Sequence, residues 1–133
     1  VIDANTTLRT YLSNQSALTA LTSTRLWPGR TFPPEDYDPG DGAGIAFRSR
    51  GGPGLDFSRQ VLRLSMQMKC YAANKYDANT LYRTLVDVLD DKRGDGIRQA
   101  LLDVPGQTLE EQDTGWPYVL VFFDIWLLSA VAA

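Results

Sequence analysis

The chain contains no histidine, a single cysteine, Cys70, and no long apolar run among its 133 residues. Without histidine, neither a Ser–His–Asp nor a Cys–His nucleophile system can be built, and no imidazole can serve as general base. One cysteine cannot supply the four N/S ligands of a structural zinc site, and it excludes an internal disulfide framework. An intracellular, reducing site of synthesis fits best. No apolar stretch reaches the ~20 residues of a membrane helix. The longest candidate, Trp116 to Ala133, is interrupted by Asp124 and Ser129, and its Val, Phe, Ile and Trp content reads as a buried strand. Val1-Ile2-Asp3 does not open a charged region followed by an apolar core, so no signal peptide is expected. Basic residues are also in short supply. Thirteen Lys and Arg face sixteen Asp and Glu, for a net charge of −3, which is not the profile of a protein that grips nucleic acid by its phosphates.

What remains is the composition of an ordinary globular chain, 44% hydrophobic and 11% aromatic, long enough to bury one core. Asp3 or Asn5 can cap a short amphipathic helix with Leu8, Tyr11 and Leu12 on one face, and a second turn follows around Ala17 to Leu21. Residues 28–44 then break regular structure with Pro28, Pro33, Pro34, Pro39, Gly40, Gly42 and Gly44. This long irregular loop is acidic, carrying Glu35, Asp36, Asp38 and Asp41. Ile45 to Arg48 turns to strand and leads into the turn signal Gly51-Gly52-Pro53-Gly54.

Leu62, Leu64, Met66, Met68 and Cys70 alternate with Arg63, Ser65, Gln67, Lys69 and Tyr71, the pattern of a strand with one wet face. The two strands form a long hairpin. Asn74 caps a helix whose Ala78, Leu81, Tyr82, Leu85, Val88 and Leu89 share a face, with Gly94 and Gly96 ending it. A weaker strand around Ile97 to Leu109 precedes a central one, Tyr118 to Leu128, in which Asp124 requires a partner. The expected fold is a single α+β domain over residues 1–133: a mostly antiparallel sheet of about four strands, two main helices packed on one face, and a long β-hairpin arm.

Local motifs carry little chemistry. Asp36-Tyr37-Asp38-Pro39-Gly40-Asp41-Gly42 starts like a calcium loop but has Asp41 where the loop requires glycine and no Glu at its twelfth position. The glycine runs at 40–44 and 51–54 neither open a helix nor precede Lys-Ser/Thr, so they are turn glycines and cradle no phosphate. Arg93-Gly94-Asp95 spells an adhesion tripeptide at an expected helix end, where chance is the simpler account. Asp90, Asp91, Glu110, Glu111 and Asp113 lie in polar surroundings, where solvated charge is the default. Trp27, Trp116 and Trp126 form no stacking platform by spacing, and Met66, Met68 and Cys70 read as core.

Distributed charge rises above this background. Residues 48–69 hold Arg48, Arg50, Arg59, Arg63 and Lys69 against Asp56 alone. Residues 87–113 hold eight acids against three bases. Surface charge clustered by chance is one reading. The other is a head-to-tail contact between copies, which closes into a ring when the rotation permits.

The opening Leu8-Arg9-Thr10-Tyr11-Leu12, through Ala17-Leu18-Thr19-Ala20-Leu21 to Arg25-Leu26-Trp27-Pro28, resembles the start of the tail-terminator (tail-completion) proteins of long-tailed bacteriophages. Leu64 to Ala72, followed by a helix with Asp77-Ala78 and Leu81, is similar to that family's central strand–helix unit, and Val119 to Leu127 to its closing strand. The resemblance spans nearly the whole chain through patterns of residue type. It implies a structural virion protein without catalysis or cofactor, assembled in the host cytoplasm. Such a protein forms a hexameric ring that caps the tail tube, stops its polymerisation and meets the head-completion proteins of the neck. DNA crosses the lumen, and no membrane is involved. The 28–44 loop departs from the family's pattern. On this reading Arg48, Arg50, Arg59 and Arg63 meet Asp90, Asp91, Glu110 or Glu111 of the next copy or the tube. Two alternatives stay open: another neck or head-completion protein, and a small carboxylate-dependent enzyme or ligand-binding domain.

Overall fold

The computed structural model describes residues 4–50, 54–55 and 61–128. The chain opens with two short helices, α1 (Ala4–Ser13) and α2 (Ser16–Thr22). Leu8, Tyr11 and Leu12 recur at helical spacing and are buried, and the Tyr11 hydroxyl donates to the Val88 carbonyl at 2.5 Å. Strand β1 (Leu26–Pro28) follows after three residues. A proline-rich loop containing a single 3-10 turn at Pro39–Asp41 leads to β2 (Gly44–Ser49). The short β3 (Gly54–Leu55) and the long β4 (Val61–Tyr71) come next, then α3 (Lys75–Leu89). The chain closes with β5 (Lys92–Gly94), β6 (Ile97–Glu110) and β7 (Pro117–Leu128).

Six strands lie in the order β1-β2-β4-β7-β6-β5, with β3 pairing β4 off this path. β1 runs parallel to β2, with Leu26 opposite Ile45, and the other pairings are antiparallel. Among the described residues the fold is therefore a mixed sheet with three α-helices. This corrects the expected mostly antiparallel sheet of about four strands with two main helices, while the α+β class stands. Two short edge strands account for much of the difference. β1 is three residues ending in proline, and β5 is three exposed residues; neither is long enough to display a hydrophobic period.

The expected end of α3 also moves. The helix stops at Leu89, and Gly94, Asp95 and Gly96, all at positive φ, form instead the tight turn between β5 and β6. Its start is as expected: the Asn74 side chain accepts the Asp77 backbone N–H at 2.8 Å.

The three helices cover one face of the sheet. Leu8, Leu12, Leu18, Leu81, Leu85 and Leu89 pack against Phe47, Met66, Met68, Cys70, Val121 and Phe123 in one continuous core. β7 lies centrally between β4 and β6, and Cys70 is buried on the helical side. Desolvation pushes its thiol pKa up, so at neutral pH it is a packing residue and not a nucleophile.

β6 outruns β5 and would leave an open edge beyond Ala100. Side chains of α3 and its C-cap fill it. The Leu102 N–H donates to Asp90 Oδ1 at 2.8 Å, and the Gly106 N–H to the Tyr82 hydroxyl at 3.0 Å. Pro105 and Gly106 fall within a register irregularity, where a proline costs no ladder bond. Glycine is required at 106, because an added Cβ would lie 2.6 Å from Val119 Cγ1 and 2.8 Å from the Tyr82 ring.

Candidate functional site

The second face of the sheet is where β2, β4, β6 and β7 carry their alternate side chains, and its two ends differ in chemistry. At the end marked by Tyr71 and Pro117, the 28–44 loop folds back over the sheet. Tyr37, Ala46 and Tyr71 form a second buried cluster flanked by Trp27, Trp116 and Tyr118. Tyr37 meets Trp27 edge-on at 4.7 Å and Trp116 at 5.6 Å between centroids, and its hydroxyl donates to the Gly42 carbonyl at 2.7 Å. Two of the three tryptophans thus do come together, through a tyrosine that their spacing gives no reason to expect. The motif with a calcium-like beginning shapes the loop itself, since Asp38 Oδ1 caps the 3-10 turn by accepting the Gly40 N–H at 2.9 Å.

Lys69 points into this end and is nearly buried. Its ammonium lies 3.4 Å from Glu111 Oε1, with the Phe32 and Tyr118 rings at 4.5 and 4.8 Å. The Tyr71 hydroxyl donates to the same carboxylate oxygen. Phe32, Pro33, Pro34 and Trp116 wall a cleft of about 360 Å³ beside this group, with Glu35, Glu111, Asp113 and Thr114 completing its lining. Glu35 and Asp113 are exposed and form no ion pair with a described residue. A carboxylate rim over aromatic and proline walls suits a cation on an apolar stem.

Desolvation pushes the Tyr37 phenol up to about 12, with Asp41 and Asp38 adding to the rise and Arg25 opposing it. Burial also raises Tyr71, aided by its hydrogen bond to Glu111. An unfolded chain ionises its tyrosines near pH 10, whereas the folded chain keeps these two protonated. The folded state then binds more protons, so stability is complete below pH 10 and falls as pH rises. Tyr37 alone removes about 2 kcal/mol by pH 12. Urea midpoints at pH 8 and pH 11 check this: the alkaline midpoint is expected to be clearly lower, and equal midpoints would contradict it.

The opposite end of the face is basic. Arg50 stacks on Phe122 at 4.0 Å, and its Nε donates to Ser65 Oγ at 3.1 Å. Arg63 lies 5.0 Å over Trp126 and pairs with Asp124 at 3.4 Å, so the partner that Asp124 requires is on the neighbouring strand. Arg48 occupies the same face opposite Gln67, with its Nε enclosed and unpartnered among the described residues. Arg59 and the hairpin tip, 51–53 and 56–60, lie outside the described residues.

The structure thus brings Arg48, Arg50 and Arg63 together on adjacent strands. The four acids expected to face them on a second copy are spread out, and each has a partner within its own subunit. Asp90 accepts the Leu102 N–H and Asp91 accepts Gln99 Nε2 at 3.1 Å. Glu110 pairs with Lys75 at 3.0 Å, and Glu111 with Lys69. The carboxylates with no such partner at the cleft are Glu35 and Asp113, which in the sequence stand out only as part of a solvated loop and of an element end.

No protein-family model matches the chain, and no curated protein matches it by sequence. Among solved structures, a chain of the virion of native gene transfer agent (GTA) particle is similar. The match covers 94% of this chain and 94% of that chain, with a TM-score of 0.68 and 11% sequence identity. At that identity the likeness is one of fold, and it extends over nearly the full length of both chains.

Proposed function

We propose that this chain is a structural virion protein of the tail-terminator type, acting without catalysis or cofactor. Its copies form a hexameric ring that caps the tail tube, ends its polymerisation and joins the tail to the neck of the particle, with DNA passing through the lumen. The observation that carries this reading is the likeness in fold to a chain of a virion particle, over nearly the full length of both. The pattern of residue types shared with tail terminators supports the finer role, as does the placement of cations and free carboxylates at opposite ends of one face.

A carboxylate-dependent enzyme would have to work in the Phe32–Trp116 cleft. There Glu35 and Asp113 are exposed, and Glu111 is held by Lys69 and Tyr71, so none has the apolar enclosure that proton donation by a carboxyl requires. A head-completion protein would share the virion location but attach on the portal side, and would leave tube length unaffected.

Reversing the basic face with Arg48→Glu and Arg50→Glu is expected to weaken self-association about tenfold or more, with the largest effect at low salt. Sedimentation velocity at two salt concentrations, with a melting curve to show that the fold persists, is the measurement. Unchanged assembly in a folded double variant would contradict the role given to these arginines. Tube growth in the presence of the protein tests the capping role. Tubes that stop elongating support it, and tubes that keep growing count against it.

A further inference from the structure

We propose that the Phe32–Trp116 cleft of one copy docks on the Arg48–Arg50 patch of a second copy of this chain, setting Glu35 and Asp113 against the two guanidiniums. This rests on the reading above that copies of this chain assemble with one another, and it supplies the acceptor that the reading lacks.

The acceptor side follows from the cleft. Glu111 is already neutralised by Lys69, which leaves Glu35 and Asp113 as the rim carboxylates that pair with no described residue. Beside them Phe32 is 56% exposed, a large apolar ring held in solvent.

The donor side is laid out by strand register. Across the sheet Arg48 falls in one row with Phe122 and Val104, and Arg50 falls in the next with Asp124 and Leu101. Directly opposed residues share a face, so each row carries an arginine on β2 and an apolar side chain on β6. Leu101 and Val104 are 36% and 43% exposed. Three of the four large apolar side chains exposed among the described residues therefore belong to these two patches. Neither Arg48 nor Arg50 forms an ion pair with a described residue. Arg50 uses its Nε on Ser65, which leaves its terminal N–H groups for a carboxylate. Two uncompensated cations among exposed apolar side chains thus match two uncompensated carboxylates beside an exposed ring. A guanidinium is weakly hydrated and meets carboxylates through paired N–H groups, so it suits a contact that closes over apolar surface.

Distance makes the contact intermolecular. Arg50 is held at Ser65 by its backbone N–H and its Nε, and over Phe122 by its guanidinium. The cleft adjoins Glu111, the acceptor of the Tyr71 hydroxyl. Ser65 and Tyr71 stand six residues apart on β4, about 20 Å along the strand. Arg50 so tethered does not reach the cleft of its own subunit. The contact joins two different surfaces, so repetition closes a ring or propagates a filament.

The test reverses each patch and then mixes the variants. Glu35→Lys with Asp113→Lys is expected to weaken self-association about tenfold, as Arg48→Glu with Arg50→Glu is from the other side. Glu35→Gln with Asp113→Asn, a neutral change at exposed positions, is expected to act in the same direction by a smaller factor. In an equimolar mixture of the two reversed variants, the lysines of one face the glutamates of the other, and the native arginines of the first meet the native carboxylates of the second. The mixture is expected to regain association close to that of the wild type. Sedimentation velocity at low salt is the readout, with melting curves to show that both variants fold. If the wild type associates while the cleft variants associate equally well, or the mixture regains nothing, this proposal falls and the ring reading stands. A restored mixture whose mass stops at two subunits keeps the contact and overturns the ring. If the wild type is monomeric at every concentration and salt level, with and without tube protein, both fall together.

Discussion

Glu111→Ala is expected to lower stability by about 3 kcal/mol, read as a shift in the urea midpoint at unchanged slope. The loss exceeds what one ion pair would contribute, because of what remains behind. Lys69 is 8% exposed, and its ammonium would be left among the Phe32 and Tyr118 rings without a counter-charge. The Tyr71 hydroxyl would lose its acceptor in the same step. The paired change Lys69→Met with Glu111→Leu removes both charges and fills the space. It is expected to recover much of the loss, since a buried ion pair gains little over well-packed apolar side chains. A single variant as stable as the wild type would show that Lys69 finds water in this structure, and the closed character of this end of the sheet would be wrong.

Tyr37→Ala is expected to cost about 3 kcal/mol or more and to free the loop that it anchors. Tyr37 is 6% exposed and touches both Trp27 and Trp116, so it ties the loop to the sheet. Tyr37→Phe keeps both ring contacts and loses only the hydrogen bond to Gly42, a loss of about 1 kcal/mol. The pair separates packing from hydrogen bonding. Limited proteolysis adds a local readout, with cleavage between residues 29 and 43 accelerated in Tyr37→Ala and nearly unchanged in Tyr37→Phe. Equal cleavage in wild type and Tyr37→Ala would mean that the loop is held elsewhere.

The parts of the fold with a long period are legible in the amino-acid sequence. β4 alternates over ten positions, β7 is apolar on its central run, and α3 shows both a cap and a stripe. β1 cannot be read this way. It is three residues long, follows a helix after three residues, and acquires its parallel partner only beyond the irregular proline-rich loop. The second buried cluster is hidden for a related reason. Trp116 is far from Trp27 and Tyr37 in the chain, and no local rule makes the three neighbours. The same holds for the site. The basic hairpin is visible because β2 and β4 are close in sequence as in space. The carboxylates of the cleft come from a loop and a strand end joined only by folding, while Asp90 and Glu111, prominent as sequence clusters, are committed to partners within the subunit.

The proposed assembly of copies of this chain into a closed ring is tested by the mass of the purified protein in solution. Light scattering over a concentration series at two salt levels is expected to give six times the 14.8 kDa subunit mass, or, on addition of tail tube protein, a complex holding six subunits of this chain. Higher salt should lower the assembled fraction. A mass that stays at one subunit at every concentration, with no response to tube protein, would rule out the ring.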